Sequence, residues 1–439
     1  MKFEDYVNNS KRVLLVEPNF PIPNKSRNHS NFLPIGLLKI AAYLKRENIE
    51  VKLIRFEEKE EDYSQTTLDF KKDDDFTPDL IFVTSIFTYW SEHVKNAVFY
   101  YKNKFKGVPI IVGGVYASLM PEHCKKYTKC TDVIQGPIPE VETLIPDYDL
   151  VDVDYQIIHT SRGCIRKCGF CGTYIIEPDW TCKKSIKTEI VKKKLIFYDN
   201  NLLANQYIED ILEELIELKK EKKISYLESQ SGFDGRILRK KPYLAKMLKD
   251  AGFKNPKIAW DYGIVQAPKI KEQIDLLIDA GFTAKEISIF MIYNYEPNYE
   301  EMEEKRVKCA EWGVQITDCR YRPLNATFDN YSSYKRSQGP EDYYIHEECG
   351  WTDQKIRKFR RNIRRHNICM RHEVDYHSTI LERKQVPQEE AKKYREMNYE
   401  EVKKYLPDAW SPLLYHDASE QDYFKVNKKI KTNKTIKQI

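Results

Sequence analysis

The chain has 439 residues, 32% of them charged and 41% hydrophobic, with a formal net charge of +5. That length exceeds what one hydrophobic core serves, no apolar run is long enough to span a membrane, and 1–12 lacks the apolar core of a signal peptide. Ten cysteines spread over such a chain argue against a secreted disulfide scaffold and for reduced thiols in a cytoplasmic protein.

Residues 11–136 predict a doubly wound sheet. Short apolar strands at 12–16, 51–54, 80–84, 108–112 and 132–134 alternate with helices at 37–46 and 92–101, and a further helix follows Gly113-Gly114. Such βα alternation gives a parallel, flavodoxin-like sheet with ligands outside the carboxyl ends of its strands, here 17–20, 84–90 and 113–118. Gly113 and Gly114 would let a ligand approach the backbone closely; a tight strand-to-helix turn explains them as readily. Residues 137–154, with Pro137, Pro139 and Pro146 among acidic residues, read as a linker.

From Tyr155 the alternation resumes, with strands at 155–160, 194–198, 224–228, 257–262, 286–291 and 314–319 and helices at 208–219, 236–251, 269–280 and 300–312. Glycines at Ala251-Gly252-Phe253 and Ala280-Gly281-Phe282 close two of the helices. Between the first two strands lie Cys164, Cys168 and Cys171. Thiolates suit iron-sulfur clusters, zinc or copper(I), and three of them on a four-iron cluster leave one iron without a protein ligand. The alternative is a zinc site completed by Cys182 or His159, although zinc ligands usually come in pairs on two knuckles. Arg162, Arg166 and Lys167 beside the cysteines favour the thiolate form.

The CxxxCxxC spacing, with Gly163 before the first cysteine and Phe170 before the third, resembles the signature of the radical S-adenosylmethionine (radical SAM) superfamily. The resemblance implies that Cys164, Cys168 and Cys171 ligate a [4Fe-4S] cluster whose fourth iron chelates S-adenosylmethionine (SAM), and that one electron then cleaves SAM to a 5'-deoxyadenosyl radical. It also implies a partial (β/α)6 barrel over 155–319, with the cysteine loop after its first strand, on the side where a barrel active site belongs. Phe170, Asp199 and Asn200 become cofactor-binding candidates; Asp199 would accept a hydrogen bond from the SAM amine, an Asx turn being the alternative. Further strand ends carry Ser229 to Arg236, Asp261, and Asn294 to Pro297, the last standing where many relatives have a glycine-rich turn.

The first domain, with Gly113 and Gly114, is similar to the cobalamin (B12)-binding domain that precedes the barrel in a large radical SAM subgroup. It has no DxHxxG, so no lower-axial histidine is assigned, and His29 and His93 are poor substitutes. The implied reaction is hydrogen abstraction from an unactivated carbon followed, if cobalamin is bound, by methyl transfer from the corrin. The rivals are a cobalamin-free hydrogen-abstracting enzyme and, from another class, a zinc-containing RNA-binding protein without catalysis. A one-electron reductant such as flavodoxin or ferredoxin is the implied partner of the enzyme.

Residues 320–424 form a basic, α-rich extension. Its helix 354–366 sets Ile356, Phe359 and Ile363 on one face and Lys355, Arg357, Lys358, Arg360, Arg361, Arg364 and Arg365 over the rest. Such a charge could meet RNA or a phosphate-bearing substrate; a solvated helix with its apolar stripe on the barrel is the plainer reading. Cys309, Cys319, Cys349 and Cys369 are too irregularly spaced to predict a second cluster. The tail at 425–439, rich in lysine, asparagine and threonine, predicts disorder.

Overall fold

A computed structural model describes residues 3–22, 33–55 and 76–414. The expectations for His29 and the tail at 425–439 lie outside these. The chain divides into two compact units: Met1–Gln230 with Arg322–Ser332 and Pro340–Tyr344, and Ser231–Tyr321 with Ser333–Gly339 and Ile345–Ile439.

The first unit begins with strands β1 (Arg12–Glu17), β2 (Glu50–Arg55), β3 (Leu80–Ser85), β4 (Ile110–Gly114) and β5 (Asp132–Val133). They pair in parallel in the order β2-β1-β3-β4-β5, the flavodoxin-like order. Both faces of the central strands are covered, which is why β1, β3 and β4 read as near-continuous apolar runs. Alternate residues point opposite ways: Leu14 and Val16 join Val94, Val98 and Tyr101 on one side, while Val13 and Leu15 join Leu37, Ala41 and Leu44 on the other.

The segment expected as a linker is built into this unit. Pro139 opens a short helix, Pro139–Glu142, and Val141 is buried beside Leu37 and Ile40. Tyr148 is buried with Leu38, and its hydroxyl both donates to the Ile157 carbonyl and accepts from the Ile157 N–H, at 3.0 Å each. Those contacts fasten β6 (Tyr155–Ile158) to the first sheet's helix layer. Next come the antiparallel pair β7 (Ser161–Arg162) and β8 (Thr181–Cys182), then β9 (Lys194–Phe197) and β10 (Tyr226–Ser229). β6, β9 and β10 form a parallel sheet ordered β10-β9-β6.

The second unit holds β11 (Lys257–Ala259), β12 (Ser288–Tyr293) and β13 (Gln315–Arg320), again parallel and in sequence order. The helix expected over 236–251 is two helices, Gly235–Lys240 and Tyr243–Ala251, because Pro242 supplies no N–H and interrupts the ladder. The long basic helix spans Asp353–His372, capped by the Thr352 side chain, which accepts from Lys355 N–H. Its apolar stripe, Ile356, Phe359 and Ile363, is buried.

Most of its cations are engaged within the unit. Arg357 is buried and reaches Asp353, the Lys335 carbonyl and Gln338; Lys355 pairs with Glu300, Arg360 with Asp318, and Arg364 with Glu382. Lys358 lies over the Tyr299 ring, 5.6 Å from its centroid. The buried stripe is what the plainer of its two readings expects. Among the described residues no helix is long and apolar enough to cross a membrane.

His366, on that helix, is fully buried, and its Nε2–H donates to the Val314 carbonyl at 2.8 Å. Burial, with Arg306 adding to it, pushes its pKa down to about 3. An unfolded histidine titrates near ~6.5, so protonation favours the unfolded chain. This contribution is complete above about pH 6.5 and is lost as pH falls toward about 3, at up to about 1.4 kcal/mol per pH unit. Urea unfolding at pH 7.5 and 5.5 should record that loss, and His366→Gln should flatten it.

Candidate functional site

The cysteine loop leaves the carboxyl end of β6, and its two ends meet. Gly163 has φ +77°, and a Cβ there would stand 2.4 Å from the Asp179 carbonyl oxygen, so only glycine fits. The Gly163 N–H donates to Glu177 Oε2 at 2.7 Å. Pairing of Ser161 with Cys182 and of Arg162 with Thr181 holds the base of the loop.

Asp199 follows β9 and is fully buried. Its Oδ1 accepts from the Thr160 N–H (2.9 Å) and hydroxyl (2.6 Å) and from the Ser161 N–H (2.7 Å) and hydroxyl (2.7 Å). Burial pushes its carboxyl pKa up, and these hydrogen bonds oppose the shift. Oδ1 is thus engaged inward, on the strand end that launches the cysteine loop, while Oδ2 takes the Thr160 N–H at 3.1 Å.

Asn200 does face the loop. Its Nδ2 donates to Glu177 Oε2 at 3.1 Å and its Oδ1 accepts from Thr173 Oγ1 at 3.3 Å; Thr173 Oγ1 in turn lies 3.2 Å from Cys171 Sγ. Cys164, Cys168 and Cys171 form no disulfide and are half-exposed, and Phe170 is half-buried between the last two. The Arg166 N–H donates to Cys164 Sγ at 3.3 Å, and the Cys168 carbonyl accepts from the Cys171 N–H at 3.0 Å.

Among the described residues no three His, Cys, Asp or Glu side chains gather around a single ion position. A four-iron cluster gives each thiolate its own iron, so three thiols of one loop, turned partly outward, fit that group as a donor set. Cys182 sits at the base of the loop on β8. His159 lies between β6 and β7, where burial, with Arg162, Lys39 and Lys183 adding to it, pushes its pKa well down.

At the first sheet the order β2-β1-β3 reverses direction between β1 and β3, and the carboxyl ends there carry an aromatic shelf. Phe20 stacks on Trp90 (5.4 Å between centroids), and Phe87 stacks on Tyr89 (4.9 Å, 9° between planes) while remaining 41% exposed. Arg322 lies 4.5 Å over the Tyr89 ring, and the Ser91 hydroxyl donates to the Thr327 carbonyl, so 322–327 runs along the shelf. His93 has its ring 6.1 Å from that of Phe20.

Gly114 has φ +98°, and a Cβ there would lie 2.1 Å from the Ser85 carbonyl oxygen, so its role is the close approach of β3 and β4. At Gly113 a Cβ would find only the Ile134 carbonyl oxygen, at 4.0 Å, and that position is open. A partly exposed aromatic cluster with an open backbone position on the neighbouring strand end suits a corrin held by its faces and edges. Gly114→Ala should weaken hydroxocobalamin uptake by at least about tenfold, since a clash that forces the β3–β4 spacing apart also moves Gly113 and the shelf. Spectroscopic titration with the corrin would measure it.

The second unit has its own strand-end features. Lys305 is buried and donates to the Trp260 and Tyr262 carbonyls at 2.6 and 3.1 Å; burial pushes its pKa down to about 8, against the pull of Asp261. Asp234 caps the helix Gly235–Lys240, accepting from the Arg236 N–H, and pairs with the Arg236 side chain. Asn294, at φ +59°, takes the left-handed turn in place of a glycine, and its side chain bonds the Tyr321 carbonyl and the His346 N–H.

The residue pattern missed the shelf at Phe87, Tyr89 and Trp90 as a unit, and missed Arg162 and Glu177 as a pair. An aromatic run at the sheet's point of reversal was the available signal for the first. For the second there was none, because an acidic residue six positions past Cys171 has no distinctive spacing.

Residues 29–144, which hold β2 to β5 of the flavodoxin-like sheet, match the model of the B12 binding domain family. Over most of its length the chain shares a fold with one solved radical SAM methyltransferase. It is similar to the radical SAM methyltransferase TsrM from Kitasatospora setae with cobalamin and a [4Fe-4S] cluster bound, at 14% identity and a TM-score of 0.50, over 72% of this chain and 77% of that one. It is likewise similar to TsrM with tryptophan substrate and the SAM analog aza-SAM bound, at 14% identity and 0.50, over 79% and 82%. No curated protein matches the sequence.

Proposed function

We propose that this chain is a cobalamin-dependent radical SAM enzyme that methylates an unactivated carbon. The observation that carries the reading is the pairing, in one compact unit, of a three-cysteine loop at the carboxyl end of β6 with a B12-binding-type sheet. A hypothetical Cβ on Gly172, just after Cys171, would lie 3.0 Å from Leu119, in the helix that follows Gly114. The two candidate sites are therefore neighbours.

When bound, the cluster would supply the electron that splits SAM and the corrin a methyl group; that chemistry belongs to the cofactors. The chain's residues hold and orient. Cys164, Cys168 and Cys171 are the ligands, Phe170 and Asn200 border them, and Asp199 fixes the strand end from which they hang. Gly113 and the shelf of Phe87 and Tyr89 seat the corrin, with Gly114 keeping β3 and β4 close beneath it. A low-potential donor such as flavodoxin or ferredoxin would deliver the electron in the cytoplasm.

The B12-domain match favours this reading over the cobalamin-free rival, and the paired cations of helix Asp353–His372 leave the RNA-binding rival without its main support. Anaerobic reconstitution with iron, sulfide and hydroxocobalamin tests it: the account expects one corrin and about four irons per chain. A chain that takes up the cluster and no corrin returns the cobalamin-free rival.

A further inference from the structure

We propose that Glu177 and Arg162 are positioning residues that clamp the two ends of the cysteine loop, set the charge felt by its thiolates, and through Glu142 tie that loop to the B12-binding sheet. The proposal rests on the cluster reading above.

Glu177 joins three different partners. Its Oε2 takes the Gly163 N–H at 2.7 Å and Asn200 Nδ2 at 3.1 Å, and its Oε1 takes Arg162 Nη2 at 2.9 Å. Gly163 immediately precedes Cys164, and Glu177 follows Cys171 by one short helix, Thr173–Ile176, so a single carboxylate closes the segment that holds every proposed ligand. From Glu177 the contacts run inward through Asn200 and Thr173 to Cys171 Sγ, each link 3.1 to 3.3 Å.

They also run outward. Arg162 Nε lies 3.3 Å from Glu142 Oε2, and Lys39, buried on helix Ile35–Arg46 of the first sheet, donates to the Glu142 carbonyl at 2.7 Å and lies 3.3 Å from Oε2. A second route adjoins it. The Ser118 hydroxyl donates to the Gly114 carbonyl and accepts from the Gly136 N–H, and a Cβ on Gly136 would touch the Ile176 carbonyl, one residue before Glu177.

An exposed ion pair contributes little, about 0–1 kcal/mol. Glu177 and Arg162 are not of that kind: their side chains are 13% and 27% exposed, and one partner is a backbone N–H at a position only glycine can occupy. In such surroundings charge is weakly screened, so a carboxylate and a guanidinium beside the thiolates act on the cluster with opposite signs. Removing the negative charge favours the more negative, reduced cluster; removing the positive charge disfavours it.

The experiment uses the full chain, reconstituted anaerobically, with the cluster's midpoint potential read by an EPR-monitored titration without SAM. Glu177→Gln should shift the potential upward, Arg162→Gln downward, and Glu142→Gln upward by less, since it lies one ion pair further out. Loss of iron from Glu177→Gln while the apoprotein keeps its melting temperature also supports a clamp. Should Glu177→Gln fail to fold, the other two variants decide, and wild-type potentials in both overturn the proposal. If the wild-type chain takes up no iron, it is the cluster reading that fails.

Discussion

Cys168→Ala is expected to lose the iron-sulfur cluster and, with it, reductive cleavage of SAM. On the proposed reading the three thiolates would each bind one iron of four and the fourth would stay free for substrate chemistry, so no spare protein ligand replaces the missing sulfur. Loss of a partner in the outer shell of a metal site costs about 10–100-fold, and loss of a ligand should exceed that. Cleavage should therefore drop by more than about 100-fold, with iron and sulfide content falling together. The fold should be spared. Cys168 is half-exposed and supports the loop through its carbonyl, which alanine keeps, so apoprotein stability should change by no more than about 0.5 kcal/mol. Iron and sulfide assays with chromatographic detection of 5'-deoxyadenosine would read the first effect, and thermal unfolding the second. Full iron and full cleavage in the variant would remove Cys168 from the ligand set.

Asp199→Ala should act the other way, on the fold first. The carboxylate is fully buried and takes four short hydrogen bonds from Thr160 and Ser161 through its Oδ1. Alanine leaves those donors in a cavity, and each buried donor without a partner costs about 1–3 kcal/mol. Part of that is recovered where a hydroxyl rotates or water enters, giving a net loss of about 3–5 kcal/mol, within the range seen when one partner of a buried charged network is removed. For a unit of this size the melting temperature should fall by roughly 10 °C. Cluster uptake should fall too, because Thr160 and Ser161 lead straight into the cysteine loop. A variant that melts like the wild type and has only lost SAM affinity would contradict this and favour the SAM-binding role that its position after the second strand suggested.

Much of the fold was legible because its physics is local. Strands buried on both faces, such as Arg12–Glu17 and Leu80–Ser85, show as apolar runs, and glycines at 113–114, 252 and 281 mark real turns. The segment 137–154 misled because prolines and acids signal a linker, while the residues that fasten it, Val141 and Tyr148, reveal themselves only through partners far away in sequence. Pro242 was the visible reason for a helix break inside a pattern otherwise periodic over 236–251.

The candidate site divides in the same way. The cysteine spacing is a local signal and stood out. Asp199 carried the right residue type at a strand end, but whether a carboxylate faces a ligand or its own backbone depends on burial, which a strand-end position does not encode. Asn294 shows the converse. Its left-handed turn stands where a glycine-rich turn was looked for, because asparagine tolerates that conformation and its side chain can hold the neighbouring backbone. The pairing of Arg162 with Glu177 depends on a loop folding back on itself, and no residue spacing reports that.

The central claim is that three cysteines hold a cluster with one iron open to SAM. The most direct measurement is the EPR spectrum of the dithionite-reduced, reconstituted protein before and after SAM is added. The account predicts a reduced [4Fe-4S] signal whose g-values change on addition of SAM, because SAM binds the open iron. A cluster signal that SAM leaves untouched would contradict it, as would a colourless protein holding a single zinc.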